Sequence, residues 1–267
     1  AGISKEQLSG IGMGCPGPLD LDKGVILDAP NLGWQNAPLK KTLEKAFGCP
    51  AVIANDVDAG VYGEYRYGAA RKARCVVGAF PGTGIGGGCV YEGRILRGQP
   101  GSCMEIGHVL VEPNGPLCGC GLRGCLEAVA SRLAISAEVA KAAYRGEAPI
   151  LLEEAGTDLA NIRSSTLARA VEAGESVVED ILRHAARKLG QALGTTINLL
   201  SPDVILLGGG LVEARPDLYL KEVETAAGSA AMPPFRKTFS VVVAELGDDA
   251  TVTGAAAWAR ESTRSAS

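Results

Sequence analysis

One histidine and three cysteines fall close together between residues 108 and 125: His108, Cys118, Cys120 and Cys125. The chain holds only two histidines and eight cysteines in all, so the concentration is informative. One imidazole and three thiolates make a complete tetrahedral donor set for a structural zinc, which takes no fourth ligand from water. The spacing allows Cys118 and Cys120 to clamp one side of an ion while Cys125 and His108 return from the flanks. Gly119, Gly121 and Gly124 let the backbone bend tightly around it. Three thiols that merely share a buried loop would give the same pattern. Two carboxylates, Glu105 and Glu127, frame the cluster.

Three further stretches carry chemistry. Asn55-Asp56 follows the short apolar run Ala51–Ala54 and opens the helical pattern of 57–70. That is the carboxyl end of a strand, where open α/β sheets bind ligands, although either residue is also a good helix cap. Residues 81–88 read Pro-Gly-Thr-Gly-Ile-Gly-Gly-Gly. Gly82, Gly84 and Gly87 satisfy a Gly-x-Gly-x-x-Gly spacing, but a strand pattern follows where the dinucleotide fingerprint needs a helix. A Gly-rich turn between strands can still offer backbone N–H groups to phosphates, with the Thr83 hydroxyl assisting. The third stretch, Leu207-Gly208-Gly209-Gly210, ends an apolar strand in a turn that lets a flat ligand approach the backbone. His184 lies within a long helical pattern and receives no role.

These groups must be positioned by the rest of the chain. At 267 residues, 46% apolar and 21% charged, there is ample material for a buried core, and with 4% aromatics that core is aliphatic. A net charge of −4 and a pI near 5.4 argue against a nucleic-acid or anionic-membrane surface. No apolar run has the length of a membrane span and no secretory leader opens the chain, so a cytoplasmic protein is expected. Cys15, Cys49, Cys75, Cys89 and Cys103 stand singly in mostly apolar settings and read as reduced core residues.

In chain order, a helix end at 4–8 leads to a strand at 10–15, then a hairpin over 19–29 with its tip at Asp22-Lys23-Gly24 and a loop over 31–34. A helix runs from Pro38 to Phe47 and stops at Gly48. Strands are expected at 75–80, 89–91, 202–207 and 240–244, with 81–88 a turn. Helices are expected over 126–144 with a break near Ser131, from Ser164 or Ser165 to 173, over 176–200, 216–227 and 251–261. The abrupt small-residue start suggests that something precedes residue 1.

Four matches bring a family into view: Asn55-Asp56 with Gly63-Glu64; Gly82-Thr83-Gly84-Ile85-Gly86-Gly87-Gly88; Glu105-x-x-His108 with Cys118-x-Cys120-x4-Cys125-x-Glu127; and Leu207-Gly208-Gly209-Gly210. Together they resemble the ROK family (repressors, open reading frames, kinases), whose kinases belong to the actin-like sugar kinase and hexokinase superfamily. The resemblance implies a two-domain actin-like (ribonuclease H-like) α/β fold. Residues 1–73 with about 250–263 would form the N-terminal sugar and ATP domain, and 74–249 a larger C-terminal domain with the zinc and adenosine sites. Family kinases begin with a strand ending in an Asp-x-Gly-Gly-Thr phosphate motif, which nothing here matches. The N-terminal domain therefore reads as incomplete, and this stretch alone is expected to be a poor kinase.

The resemblance also implies roles. Asp56 is the general base toward a hydroxyl of glucose or a close relative, with Asn31, Asn55, Glu105, His108 and Glu127 binding the sugar. His108 would turn one ring nitrogen to zinc and the other to the sugar. Thr83 and Gly84 would face the phosphates of Mg-ATP, Gly208 and Gly209 its adenosine, and no magnesium ligand is assigned. A homodimer is common in the family. Two positions depart from the pattern: Asp58 stands where Asn is common, and Met104 where Gly is common. ROK-type regulators resembling NagC bind a sugar without phosphorylating it, and such a regulator or an inactive sugar-binding fragment is the alternative. Asp56 favours the kinase.

Overall fold

The computed structural model describes residues 4–29, 32–99, 101 and 103–264. The chain is an α/β protein that packs as two units, one made of 1–78, 88–104 and 244–267, the other of 79–87 and 105–243. Each is described separately.

In the first unit, β1 (Ile11–Cys15) lies parallel to β5 (Ala51–Asn55), with Met13 opposite Ile53. Parallel strands are buried by helices, and here two helices do it: α2 (Asp56–Tyr67) and α10 (Ala250–Arg264). The glycines of this region serve close approach. A Cβ on Gly12 would collide with the Ala255 carbonyl, one on Gly63 with the Ala250 carbonyl, and one on Gly254 with the Ala59 carbonyl. Tyr62 and Trp258 close the same helix pair edge to face, ring centres 5.2 Å apart. A small antiparallel sheet adds β2 (Leu19–Asp20), β3 (Val25–Ala29) and β4 (Trp34–Ala37), with Ile26 opposite Ala37. Its inner face joins Cys15, Leu19, Ile26, Leu39 and Ile53 in one core. Helix α1 (Leu39–Phe47) follows Pro38 and ends at Gly48, whose φ of 73° is the left-handed cap that glycine adopts freely.

The strand β4 is a difference from the sequence expectation of a loop ending at Trp34. Its residues are mostly exposed, so the apolar alternation that marks a strand is absent. Asn31 lies outside the described residues.

Two strands, β6 (Cys75–Pro81) and β7 (Ile85–Tyr91), run through both units. In the first, β7 pairs with β8 (Arg94–Ile95). In the second, β9 (Val204–Leu207) follows β6, the Gly208 N–H donating to the Ala79 carbonyl at 3.2 Å, and β10 (Ser240–Val243) lies parallel beyond it. Here too the structure differs from expectation. Only 82–84 form the turn, closed by the Gly82 N–H on the Gly84 carbonyl at 2.8 Å, while Gly86, Gly87 and Gly88 belong to the strand. Space is the reason at Gly88, where a Cβ would meet Val61 and Asp58 at about 3 Å. Gly88 thereby packs on α2 within the first unit.

The second unit is carried by α7 (Ser176–Leu200), 25 residues and therefore about 38 Å long. It packs along α9 (Pro216–Ala230), where Gly190 and Gly194 admit Ala226 and Ala230. Leu182, Leu189, Leu193 and Ile197 are fully buried, as are Ile205, Leu206 and Leu207 of β9. The expected helix break is present: α3 (Leu126–Ala130) ends at Ser131, whose hydroxyl caps α4 (Arg132–Tyr144) by accepting from the Ala134 N–H. Shorter helices α5 (Pro149–Ala155), α6 (Ser164–Glu172) and α8 (Gly210–Ala214) complete it.

Candidate active site

In the first unit, β5 delivers Asn55 and Asp56 to the start of α2. The Asn55 side-chain oxygen accepts from the N–H groups of Val57 (2.9 Å) and Asp58 (3.3 Å), so it is the helix cap. Its amide NH2 is the part left for a ligand. The half-buried Asp56 carboxylate accepts from the Val57 N–H at 3.0 Å, which fixes its rotamer in the first helical turn. Burial, with Asp56 nearby, pushes the neighbouring Cys15 thiol up to about 11, so this cysteine stays protonated and inert. At the far end of α2 the fully buried Glu64 accepts from the N–H groups of Ala69 (2.8 Å) and Leu246 (2.7 Å). It ties the helix that carries Asp56 to the chain entering α10. Gly63-Glu64 thus has a structural explanation: one residue admits α10 and the other anchors it.

In the second unit, the His108, Cys118, Cys120 and Cys125 donor atoms all lie within 4.8 Å of one another. His108 Nδ1 is 3.6 Å from Cys118 Sγ, and Cys120 Sγ is 3.7 Å from Cys125 Sγ. A tetrahedral zinc with Zn–S of about 2.3 Å and Zn–N of about 2.0 Å spans edges of about 3.6 Å (S···N) and about 3.8 Å (S···S). The donors fit that ion in type and number, and the two separations of 3.6 and 3.7 Å match its edges. The Leu122 N–H holds the exposed Cys120 thiol below the ordinary cysteine range, while burial pushes Cys125 up to about 12. Only a cation makes the second a thiolate at neutral pH. With Nδ1 turned to the sulfurs, Nε2 is the ring nitrogen left for a ligand.

The loop that carries these donors is joined to the Gly-rich turn. Glu127, in the first turn of α3, accepts from the Ile85 N–H at 2.9 Å, and a Cβ on Gly84 would collide with the same carboxylate. Gly107 must be glycine because a Cβ there would strike the Ile85 carbonyl. Glu105, two residues before Gly107, is exposed. Met104 has φ +61°, a left-handed conformation that costs a non-glycine residue. Gly208 and Gly209 fold over β6: a Cβ on Gly208 would enter the Phe80 ring, and Gly209 has φ +84°.

One residue at the turn escaped the sequence reading. The Arg132 backbone N–H donates to the Gly82 carbonyl at 2.8 Å, and its guanidinium donates to the Thr83 hydroxyl at 2.9 Å. The available signal was slight: a basic residue directly after the Ser131 cap.

Residues 3–262 match the ROK family. The chain belongs to the ROK family. It is 35% identical over 257 residues to a glucokinase of Thermotoga maritima, covering 96% of this chain and 80% of that one. It superposes with a TM-score of 0.83 on the crystal structure of a ROK family glucokinase from Streptomyces griseus in complex with glucose and AMPPNP, at 33% identity over 96% of this chain and 82% of that chain. It is also 31% identical to the Escherichia coli DNA-binding transcriptional dual regulator NagC, over 90% of this chain and 57% of that one. The fold is therefore the actin-like α/β fold of the ROK glucokinases. Among the described residues no helix is long and apolar enough to cross a membrane.

Proposed function

We propose that this ROK protein transfers the γ-phosphoryl group of ATP to a hydroxyl of a hexose, glucose or a close relative. The observation that carries the reading is the 35% identity to a glucokinase along 96% of the chain, with the Asn55-Asp56 pair intact. Asp56 is the general base. It takes the proton of the sugar hydroxyl as that oxygen bonds to the γ-phosphorus and the bond to the ADP oxygen breaks, so that ADP leaves and Asp56 is left protonated. Phosphoryl transfer asks little covalent chemistry of the protein beyond this, and positioning does the rest.

Positioning falls to the other site residues. The Asn55 amide NH2, Asn31, Glu105, Glu127 and His108 Nε2 bind sugar hydroxyls. One Glu127 oxygen already holds the Ile85 N–H, so its second is the one offered to the sugar. The Thr83 hydroxyl and the Gly84 backbone face the phosphates, and the Gly208-Gly209 turn faces the adenosine. Zinc, when bound, supplies rigidity and no reaction step, because a closed set of four ligands leaves it no open position. The magnesium ion that accompanies ATP supplies charge neutralisation on the phosphates. In this role the protein works in the cytoplasm, as a homodimer.

The similarity to NagC favours a second reading, a sugar-responsive regulator that binds hexose without phosphorylating it. A coupled assay of ADP release over a panel of hexoses, run on the full-length protein, separates the two. Hexose-dependent ADP release is the expected result, strongest with glucose or a near relative. Hexose binding with no ADP release above background would transfer the protein to the regulator class.

A further inference from the structure

One short stretch, Glu127 to Arg132, holds the Gly82–Gly84 turn from both sides. On one side the half-buried Glu127 carboxylate accepts from the Ile85 N–H at 2.9 Å through Oε2, and a Cβ on Gly84 would collide with that same oxygen. On the other side the Arg132 N–H donates to the Gly82 carbonyl at 2.8 Å and its guanidinium to the Thr83 hydroxyl at 2.9 Å. The stretch between these grips is α3, and the Ser131 N–H closes it by donating to the Glu127 carbonyl at 3.2 Å, where α4 begins. All of these groups lie in the second unit.

One carboxylate therefore meets two neighbours. Its Oε2 belongs to the turn, which leaves Oε1 for a ligand. The turn itself has two glycines around Thr83, and glycine loses more conformational freedom on ordering than any other residue. A glutamate side chain also has rotamer freedom to lose. A ligand that holds Oε1 removes that freedom in advance, so the Ile85 bond costs less to keep. The close approach of Gly84 makes the relation mutual, because the turn cannot shift toward the carboxylate without displacing it. Linkage requires that such an effect be equal in both directions.

We propose that Glu127 is a positioning residue that couples the two substrates within the second unit. A hexose hydroxyl donating to its Oε1 sets the Gly82–Gly84 turn for the phosphates of ATP, and phosphates on the turn tighten the hexose by the same factor. The inference rests on the kinase reading and adds to it a route between the two ligands that runs through one side chain.

Calorimetric titration of the full-length protein with glucose and with Mg-AMPPNP, each alone and at saturation of the other, tests it. In the wild type each ligand is expected to tighten the other by one common factor of about five or more. Gly84 has no left-handed φ, so alanine is unstrained there, and its methyl would fall on Glu127 Oε2. Gly84→Ala is expected to weaken glucose about ten-fold with no nucleotide present, the loss of one hydrogen bond to a charged group, and to abolish the coupling. Gly82→Ala puts the same methyl into the same turn, 4.0 Å from the Gly84 carbonyl oxygen and away from Glu127, and is expected to leave glucose affinity within about two-fold. Glu127→Gln still offers an oxygen to the Ile85 N–H and is expected to weaken glucose while keeping the coupling. A Glu127 that only binds sugar would leave Gly84→Ala with wild-type glucose affinity, and that result would overturn the inference. Equal weakening by Gly82→Ala, or coupling that survives Gly84→Ala, would overturn it as well. None of these touches the kinase reading, whereas a wild type that binds neither ligand would overturn both.

Discussion

Replacing Cys120 by serine is the cleanest perturbation of the metal cluster. Cys120 is exposed, unlike Cys118 and Cys125, so the change opens no cavity and disturbs no buried thiol. The donor spacings of 3.6 and 3.7 Å match two edges of a zinc tetrahedron, so the wild type is expected to hold about one zinc per chain. Loss of a direct ligand costs more than the 10- to 100-fold typical of an outer-shell partner. A 100-fold loss corresponds to about 2.7 kcal/mol of linked stability. At roughly 2–4 °C per kcal/mol for a unit of this size, the melting temperature falls by about 5–11 °C. Elemental analysis of the purified protein and thermal melts with and without a strong chelator measure this. The chelator is expected to lower the melting temperature of the wild type by more than that of the variant. Zinc absent from the purified wild type, or a chelator without effect on its melting, would refute the reasoning.

Two other predictions concern stability. Met104→Gly removes a left-handed strain and is expected to raise stability by about 0.5–1 kcal/mol in urea unfolding, net of the extra chain entropy of glycine; a loss of stability would mean that the Met104 side chain contributes packing that outweighs its backbone strain. Glu64→Ala strands the half-buried N–H groups of Ala69 and Leu246 and is expected to cost about 1–3 kcal/mol by the same measurement; a change below about 0.5 kcal/mol would show that water replaces the carboxylate.

The sequence was most legible where residue type and chemistry coincide. Four metal-type donors in one short stretch are brought together in the structure, and the Ser131 break, the αL stop at Gly48 and the long apolar stripe of α7 follow from local propensity and periodicity. Legibility failed where a residue answers to a distant neighbour. Gly86–Gly88 read as a long turn because glycine is a turn residue; at Gly88 it is glycine because Asp58 and Val61 press on the strand. The β4 strand has no buried face to give it a period-2 pattern. Helix capping, one of the two readings the sequence offered for Asn55, is what its side-chain oxygen does. Glu64 and Arg132 act on the backbone and on another side chain at ranges of 182 and 49 residues, which no local pattern announces. The Met104 conformation is likewise visible only in the backbone angles.

The central claim is that Asp56 deprotonates a hexose hydroxyl during phosphoryl transfer, and Asp56→Asn in the full-length protein tests it most directly. Asparagine keeps the shape and can still accept the Val57 N–H, so the helix start survives and sugar affinity is expected to remain within about two-fold of wild type. Turnover, read as hexose-dependent ADP release, is expected to fall by about 10²-fold or more, the range of a lost general base. Near-normal turnover with sugar binding intact would contradict the account.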